Sequence, residues 1–326
     1  MKRIVVHTPG GPGQMMVEDA PALRPGPGDV VIDVAASGVN FIDVYFRAGQ
    51  YKAETPIVLG SEAAGTVSAV GADVTDIAPG DRVAYAMVRG SYAEQVSVPA
   101  AMVVKVPDAV SLETAAAAML QGLTAHYLTR STFPLQRGQT CLIHAAAGGA
   151  GGLLVQMAKH LGARTIGTVS TEAKAREARA LGCDEVILYT VQDFETEVRA
   201  LTAGRGVDVV YDSVGLTTFE KSLKVVHPRG MVVLFGQASG AVAPLDPQVL
   251  NARGSIFLTR PSLAHYVATP EELRWRAGEL FDMIVSGALS IRISGRYPLA
   301  DAAQAHRDLE GRKTTGKLLL TVGRAV

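Results

Sequence analysis

The sequence predicts an α/β protein: a doubly wound parallel sheet of six strands, joined to a second, β-barrel-type domain. Three observations predict it. From Thr140 onward, Val/Ile/Leu-rich runs of strand length alternate with helix-length segments, the pattern of a parallel sheet covered on both faces. Before that point, short β-rich runs are punctuated by Gly/Pro turns at 9–13, 25–29 and 79–81, the pattern of a compact β domain. Between the two lies the stretch His144-Ala-Ala-Ala-Gly-Gly-Ala-Gly-Gly152, directly after an apolar run and directly before an apolar helical segment. That order opens a dinucleotide-binding βαβ unit.

Taken in chain order, 1–7 reads as a first strand, and β runs follow at 30–36, 65–70, 82–85, 93–98 and 102–106. The pattern then changes. Ser111 is placed to cap a helix running through Glu113 and an alanine cluster to Leu128. The strands of the parallel sheet are expected at 140–144, 164–169, 185–188, 207–212, 231–235 and 255–259. Thr269-Pro-Glu-Glu272 has capping-box spacing with proline at the first helical position, so a helix starts there. The tail, 316–321, reads as a returning strand. Ligands in such sheets sit at the carboxyl ends of the strands, which puts Asp212-Ser-Val-Gly215 and Phe235-Gly236 at the mouth of a site.

In the glycine run, small residues fall at Ala145, Gly148 and Gly151, an A-x-x-G-x-x-G spacing. Gly148 lets the backbone approach a pyrophosphate, and Gly151 lets the helix pack closely on the strand. The free N–H groups of the helix start then bind the phosphates. An NAD site usually carries an acid at the end of the second strand for the ribose 2′-hydroxyl. Here that strand ends at Ser170 without one, and Lys174 and Arg176 follow. Ser170, Lys174 and a helix N-terminus welcome a 2′-phosphate, so the residues argue for NADP(H). The bland alternative, two solvated helix charges, stays open for both cations and is stronger for Arg176. His144 ends the first strand beside the loop, and is read as a packed histidine hydrogen-bonded to backbone rather than a catalytic one.

The 326 residues suffice for two cored domains. Lys plus Arg equals Asp plus Glu, 31 each, which speaks against a nucleic-acid or anionic-membrane surface. No run reaches transmembrane length and the N-terminal apolar stretch is too short for a signal peptide. The two cysteines, Cys141 and Cys183, fall in or beside buried elements and read as packed thiols. The cytoplasm is the expected compartment.

With both halves read, the chain resembles the medium-chain dehydrogenase/reductase superfamily, and within it the zinc-free quinone oxidoreductases, the group that includes zeta-crystallin and bacterial NADPH:quinone reductases. The markers are Gly38-Val-Asn-Phe-Ile-Asp-Val-Tyr45, Leu59-Gly-Ser-Glu-Ala-Ala-Gly65, Gly122-Leu-Thr-Ala, His144-Ala-Ala-Ala-Gly-Gly149, Tyr211-Asp-Ser-Val-Gly215 and Thr259-Arg-Pro-Ser262. The resemblance implies a GroES-like catalytic domain from 1–112 and 292–326 and a Rossmann NADPH-binding domain from 113–291. Zinc members place Cys where this chain has Asn40 and His where it has Ser61. Amide and hydroxyl are poor zinc ligands, and no lobe of four close cysteines is present, so no metal is expected. Glu62 is left as a buried hydrogen-bonding acid.

The same resemblance implies a site. Asn40, Tyr45 and Asp43 form the catalytic set, with Asn40 and Tyr45 orienting the acceptor carbonyl or supplying its proton. Phe41, Tyr51 and Arg260 border the substrate; Phe41 and Tyr45 also suit plain core packing. On the cofactor side, Thr124 and Tyr127 meet the nicotinamide end, and Gly148, Gly149, Ala150 and Gly151 hold the pyrophosphate. Ser170 and Lys174 take the 2′-phosphate, and Tyr189 stacks near the adenosine. Ser213, Phe235, Gly236 and Ser239 border the ribose and nicotinamide, and Lys317 completes the cleft. Two positions depart from the usual pattern: Gly152 where a larger apolar residue is common, which loosens the helix start, and Gln121 where a Lys can occur.

A quinone is a strong hydride acceptor and needs positioning more than a Lewis acid. The expected activity is therefore NADPH-dependent reduction of quinones without zinc, by hydride or sequential electron transfer. Reduction of activated C=C bonds, as in enals or enones, is the alternative on the same scaffold. From another class comes an NADPH-binding structural or RNA-binding protein of zeta-crystallin type, against which the balanced charge speaks for RNA. A homodimer is expected through pairing of the sixth sheet strand, 255–259, with its partner's copy, and a tetramer is seen in some relatives.

Overall fold

In the computed structural model of the chain, residues 1–311 and 314–322 are described. They divide into two units, one of Met1–Leu123 with the described residues from Tyr266 onward, the other of Thr124–His265. In the first unit, β1 (Lys2–Val6) lies between β2 (Met16–Asp19) and β4 (Ile57–Val58) in a small antiparallel sheet. The organising strand is β3 (Asp29–Val39), which runs directly into helix α1 (Phe41–Arg47). It pairs antiparallel with β5 (Glu62–Val70) along one side. β6 (Arg82–Ala86), β7 (Gln95–Pro99) and β8 (Val103–Lys105) complete the antiparallel set. The core is aliphatic: Val30, Ile32, Val67, Val83, Val98 and Val103 pack with Tyr85, all nearly inaccessible. Helix α2 (Leu112–Tyr127) follows, with Ser111 Oγ accepting from Thr114 N–H at 3.1 Å as its N-cap. It ends at Tyr127 and passes into a wider π-type turn over Leu128–Thr132.

The second unit is the doubly wound sheet. β9 (Thr140–His144), α3 (Gly149–His160), β10 (Arg164–Val169), α4 (Glu172–Ala180), β11 (Glu185–Leu188) and α5 (Phe194–Leu201) form one half. β12 (Val207–Asp212), α6 (Phe219–Val225), β13 (Val226–Leu234), α7 (Gln248–Ala252) and β14 (Phe257–Thr259) form the other. Strand order is β11-β10-β9-β12-β13-β14, all parallel. Every residue of β9 and β12 is buried, as two-sided coverage by helices requires. The order reverses at β9, so the carboxyl ends of β9 and β12 flank the switch point where such sheets bind ligands. Two strand starts in this sheet differ from expectation. β13 begins at Val226 rather than 231, carrying Arg229 at φ 64°. β14 begins at Phe257 rather than 255, because Ser255 turns at φ 57°.

The chain then returns to the first unit through the short α8 (Leu263–Tyr266) and α9 (Pro270–Val285), whose Thr269 cap accepts from Glu272 N–H at 3.3 Å. β15 (Ile293–Pro298), α10 (Ala302–Glu310) and β16 (Lys317–Thr321) close the unit. β16 lies antiparallel on β3, Leu318 opposite Val39. That register carries Lys317 to the end of β3, beside Asn40. Among the described residues, no helix is long and apolar enough to cross a membrane.

Candidate active site

The phosphate cradle is built by backbone. β9 delivers the chain at His144, and Ala145 turns it with φ 54°. Gly148 N–H closes that turn on Ala145 O at 2.8 Å, and Gly148 is the N-cap of α3 with no side-chain cap bond. An uncapped twelve-residue helix leaves its first N–H groups, at Gly149, Ala150 and Gly151, available to an anion. A Cβ on Gly151 would lie 2.2 Å from Ala145 O, so only glycine lets the helix sit this close to the strand end. Gly152, expected to loosen the helix start, has a packing reason instead: a Cβ there would lie 2.8 Å from Leu181 Cδ1, so Leu181 fills the space.

His144 and Asp212 hold the cradle from beneath. Asp212 Oδ1 accepts from Val214 and Gly215 N–H at 2.9 and 3.0 Å, and its two oxygens take Thr218 Oγ1 and Ser222 Oγ. Ser222 Oγ, donating to Asp212, accepts from His144 Nε2 at 3.0 Å, and His144 Nδ1 then accepts from Thr168 Oγ1 at 2.9 Å. The expected backbone partners of His144 are thus replaced by two hydroxyls. The reason is register: β9 sits between β10 and β12, with α6 laid beside Asp212. Burial lowers the His144 pKa, opposed by the charge of Asp212, and the ring is a neutral crosslink rather than an acid–base group.

Ser170, Tyr189, Ser213, Phe235 and Gly236 lie at the carboxyl ends of the same sheet. Val169 pairs in register with Leu188, which makes Ser170 and Tyr189 neighbours just past β10 and β11. Thr171 caps α4 by accepting from Lys174 N–H at 3.3 Å, so Lys174 rises from its first turn. Exposed Glu172 shares that turn, and Arg176 points to solvent. Tyr189 is 41% exposed, open to a stacking partner. Ser213 and Phe235 are brought together because Phe235 N–H bonds Asp212 O at 2.9 Å and Ala238 N–H bonds Ser213 O at 3.2 Å. Gly236 permits this approach: its Cβ would lie 2.5 Å from Ser213 O. Ser239 Oγ closes the second loop on Val214 O at 2.8 Å. Thr124 and Tyr127 lie buried on the last turn of α2, while Arg260 follows β14, exposed.

In the first unit the catalytic candidates form a buried polar cluster. Asn40 caps α1, its N–H on Asp43 Oδ2 at 3.1 Å. Its side-chain amide is fully used. Nδ2 donates to Glu62 Oε1 at 2.7 Å and to Gly38 O at 3.3 Å, while Oδ1 accepts from Lys317 Nζ at 2.7 Å and Gln121 Nε2 at 3.2 Å. Lys317 also forms an ion pair with Glu62 Oε1, and Leu120 N–H reaches Glu62 Oε2 at 2.6 Å. Lys317, expected among the cofactor residues, is 2% exposed here, with its ammonium committed to Glu62 and Asn40. Gln121, which looked incidental, is an Asn40 partner.

Asp43 accepts from Ser61 Oγ at 2.6 Å and from Tyr92 Oη at 3.2 Å. Burial pushes its carboxyl up to about 7, against the lowering effects of the Ser61 hydrogen bond and the Lys317 charge. Tyr45 is 6% exposed and sits among rings: Phe41 at 6.3 Å and Tyr51 at 5.2 Å between centroids. Tyr51 is anchored by its N–H on Tyr45 O at 3.1 Å. The sequence signals for this cluster were the family motif at 38–45 and the returning strand at 316–321. Tyr92, with Arg47 and His306 beyond it, carried no such signal.

Zinc does not fit this cluster. The Asn40 amide is saturated, Ser61 donates to Asp43, and both Glu62 oxygens are taken, one by an ammonium. Among the described residues, no group of three or more His, Cys, Asp or Glu is placed to hold a metal ion.

Comparison with known proteins places the chain. Residues 26–108 match the model of the alcohol dehydrogenase GroES-like domain, and residues 181–320 match that described as zinc-binding dehydrogenase. The quinone oxidoreductase of Pseudomonas aeruginosa is 47% identical over 98% of this chain and 99% of its own length. The 2-haloacrylate reductase of a Burkholderia species is 44% identical over 97% of each. The crystal structure of Escherichia coli quinone oxidoreductase complexed with NADPH superposes with a TM-score of 0.97 at 42% identity, covering 98% of this chain and all of that one. With such likeness from end to end, this chain belongs to the quinone oxidoreductase family of the medium-chain dehydrogenase/reductase superfamily.

Proposed function

We propose that the protein reduces quinones with NADPH. The observation that carries the reading is the uncapped α3 N-terminus over Ala145, Gly148 and Gly151, followed at the next strand end by Ser170 and Lys174 with no acid on the strand itself. In this reading Gly149, Ala150 and Gly151 take the pyrophosphate through their N–H groups. Ser170, Lys174 and the start of α4 take the 2′-phosphate. Tyr189 stacks at the adenosine end, and Thr124, Tyr127, Ser213, Phe235, Gly236 and Ser239 border the rest. The bound nicotinamide supplies a hydride. Phe41, Tyr45 and Tyr51 are the acceptor-positioning candidates of the first unit, and Arg260 is that of the second. Asp43 manages its proton. Asn40, with Lys317 and Glu62, fixes the geometry of the helix start that carries Phe41 and Tyr45.

The division of labour follows the motifs, with 1–112 and 292–326 as the acceptor domain and 113–291 as the dinucleotide domain. Homodimerisation through β14 belongs to the same reading. Among the described residues that strand pairs only with β13, and Phe257 on it is 58% exposed, which suits extension of the sheet across a two-fold axis. Cys141 and Cys183 are both free and buried, which suits the reducing cytoplasm. A second reading, reduction of activated C=C bonds, is favoured by the likeness to a 2-haloacrylate reductase. Steady-state NADPH oxidation with 1,4-benzoquinone and with a 2-alkenal separates them. Faster quinone turnover supports the first reading, and preference for the alkenal replaces it with the second.

A further inference from the structure

Asp43 lies in a chain of hydrogen bonds whose direction is set at its far end. Glu310, near the surface on α10, takes Nη1 and Nη2 of Arg47 at 2.8 Å each. Arg47 Nη1 is also 3.0 Å from His306 Nδ1. A guanidinium only donates, so Nδ1 accepts and the neutral ring carries its proton on Nε2. Burial, reinforced by the Arg47 charge, keeps the ring neutral by lowering its pKa to about 3. His306 Nε2 lies 3.1 Å from Tyr92 Oη, which therefore accepts from the ring and turns its own proton onto Asp43 Oδ2. Asn40 N–H and Ser61 Oγ–H also point at the carboxylate.

A proton placed on Asp43 must donate to one of these partners. The Asn40 N–H cannot turn round. Reversing Tyr92 would leave its hydroxyl proton facing His306 Nε2–H, and Arg47 holds the other tautomer out. Tyr92 and His306 are fully buried, so no water relieves that clash. Ser61, itself 2% exposed, is the remaining partner: its hydroxyl bonds Asp43 at 2.6 Å and can turn about Cβ–Oγ to accept instead. The geometry points to Ser61 as the outlet through which Asp43 hands a proton to the acceptor, with Arg47 and His306 as positioning residues that close the other end.

This rests on the quinone-reductase reading and completes its proton balance. Hydride from the reduced nicotinamide leaves an oxyanion on the quinone. The oxyanion takes the Ser61 Oγ proton as its O–H bond forms, and Ser61 Oγ takes the proton of Asp43, leaving a carboxylate. One proton from water restores the acid. The groups facing Asp43 are Ser61 and Glu62 from β5 and its approach, Lys317 from β16, Asn40 from the cap of α1, and Tyr92 backed by His306 of α10 and Arg47. Their balance, dominated by burial, holds Asp43 near neutrality, where it both keeps and releases a proton.

Two variants separate outlet from closed end, because each removes one hydrogen-bond donor from Asp43. Ser61→Ala should lower kcat for 1,4-benzoquinone about a hundredfold, the usual worth of proton transfer, with KM for NADPH unchanged and turnover restored by Ser61→Thr. Tyr92→Phe removes a donor from Asp43 but leaves the Ser61 outlet, so its kcat loss should be smaller than that of Ser61→Ala and its kcat–pH profile should move to higher pH. The Asp43 carboxyl stretch, identified by its loss in Asp43→Asn and followed by difference infrared in the chain without NADPH, should titrate at higher pH in Tyr92→Phe. Undiminished turnover in Ser61→Ala, equal losses in both variants, or an unmoved carboxyl titration in Tyr92→Phe overturns the proposal. A wild type inactive on quinones sinks the reading of function, and the outlet with it. An active wild type with an active Ser61→Ala sinks the outlet alone.

Discussion

Lys317 Nζ lies 2.7 Å from Asn40 Oδ1, although 277 positions separate them in the chain. β16 brings them together by pairing with β3, and Glu62 at the start of β5 neutralises the ammonium. The cation is built into the protein, and the Asn40 amide is oriented by it: oxygen toward Lys317 and Gln121, nitrogen toward Glu62.

Losing the ammonium alone should be costly. Lys317→Met leaves the Glu62 carboxylate buried and unpaired, a defect worth about 3–5 kcal/mol. Adding Glu62→Gln should recover much of that loss, since a neutral amide needs no counter-charge. Urea unfolding of the single and double variants measures both. Equal stability of the two would mean the pair is not coupled.

Gly38 is demanded by this pair rather than by a turn. A Cβ there would lie 2.1 Å from Glu62 Oε1 and 2.6 Å from Lys317 Cε. Gly38→Ala should therefore cost about 2 kcal/mol or more, as overpacking does, and thermal unfolding reads it. An unchanged Tm would show that the pair shifts aside without penalty.

The two cradle glycines should respond differently. Gly151→Ala sets a methyl against the carbonyl of Ala145, a backbone atom that cannot step aside, whereas Gly152→Ala meets only the end of the Leu181 side chain. NADPH affinity, measured by fluorescence titration, should fall at least about tenfold in Gly151→Ala if one phosphate-cradle contact of about 1.4 kcal/mol is lost. Gly152→Ala should bind nearly as wild type. The reverse order would contradict the cradle described.

Opposed titrations should shape stability against pH. Asp43 is raised from 3.8 to about 7 in the fold, so the folded state holds the extra proton and stability from this group falls as pH rises through that window. His306 is lowered from 6.5 to about 3, so its contribution falls as pH drops from 6.5 toward 3. In Asp43→Asn the first effect disappears, and stability relative to wild type should rise between pH 4 and 7. His306→Gln should gain relative to wild type on acidification below 6.5. Parallel curves for wild type and both variants would contradict these assignments.

Much of the dinucleotide unit was legible. β9, β10, β11 and β12 lie where the apolar runs and the glycine stretch put them; β9, β10 and β12 are buried on both faces, and the edge strand β11 is half-buried. The start of β13 was not, since His-Pro-Arg-Gly at 227–230 bulges out between Val226, paired with Val207, and Met231, paired with Val209, with Arg229 at φ 64°. β15 escaped as well, its Gly295 and Pro298 looking like loop punctuation. In the candidate site, the family motif at 38–45 marked Asn40, Asp43 and Tyr45. Nothing local marks Ser61 as the partner of Asp43, or His306 as the support of Tyr92, because each is joined to its neighbour only by strand register and helix packing. The same holds for His144, whose hydroxyl partners come from β10 and α6.

The most direct test of the account is the ratio of kcat/KM for NADPH over NADH with 1,4-benzoquinone, in wild type and in Lys174→Ala. The account predicts quinone turnover with a preference for NADPH of at least about tenfold, or 1.4 kcal/mol, that shrinks in Lys174→Ala through KM for NADPH alone. Equal use of the two cofactors by the wild type, or a preference untouched by the loss of Lys174, would contradict it.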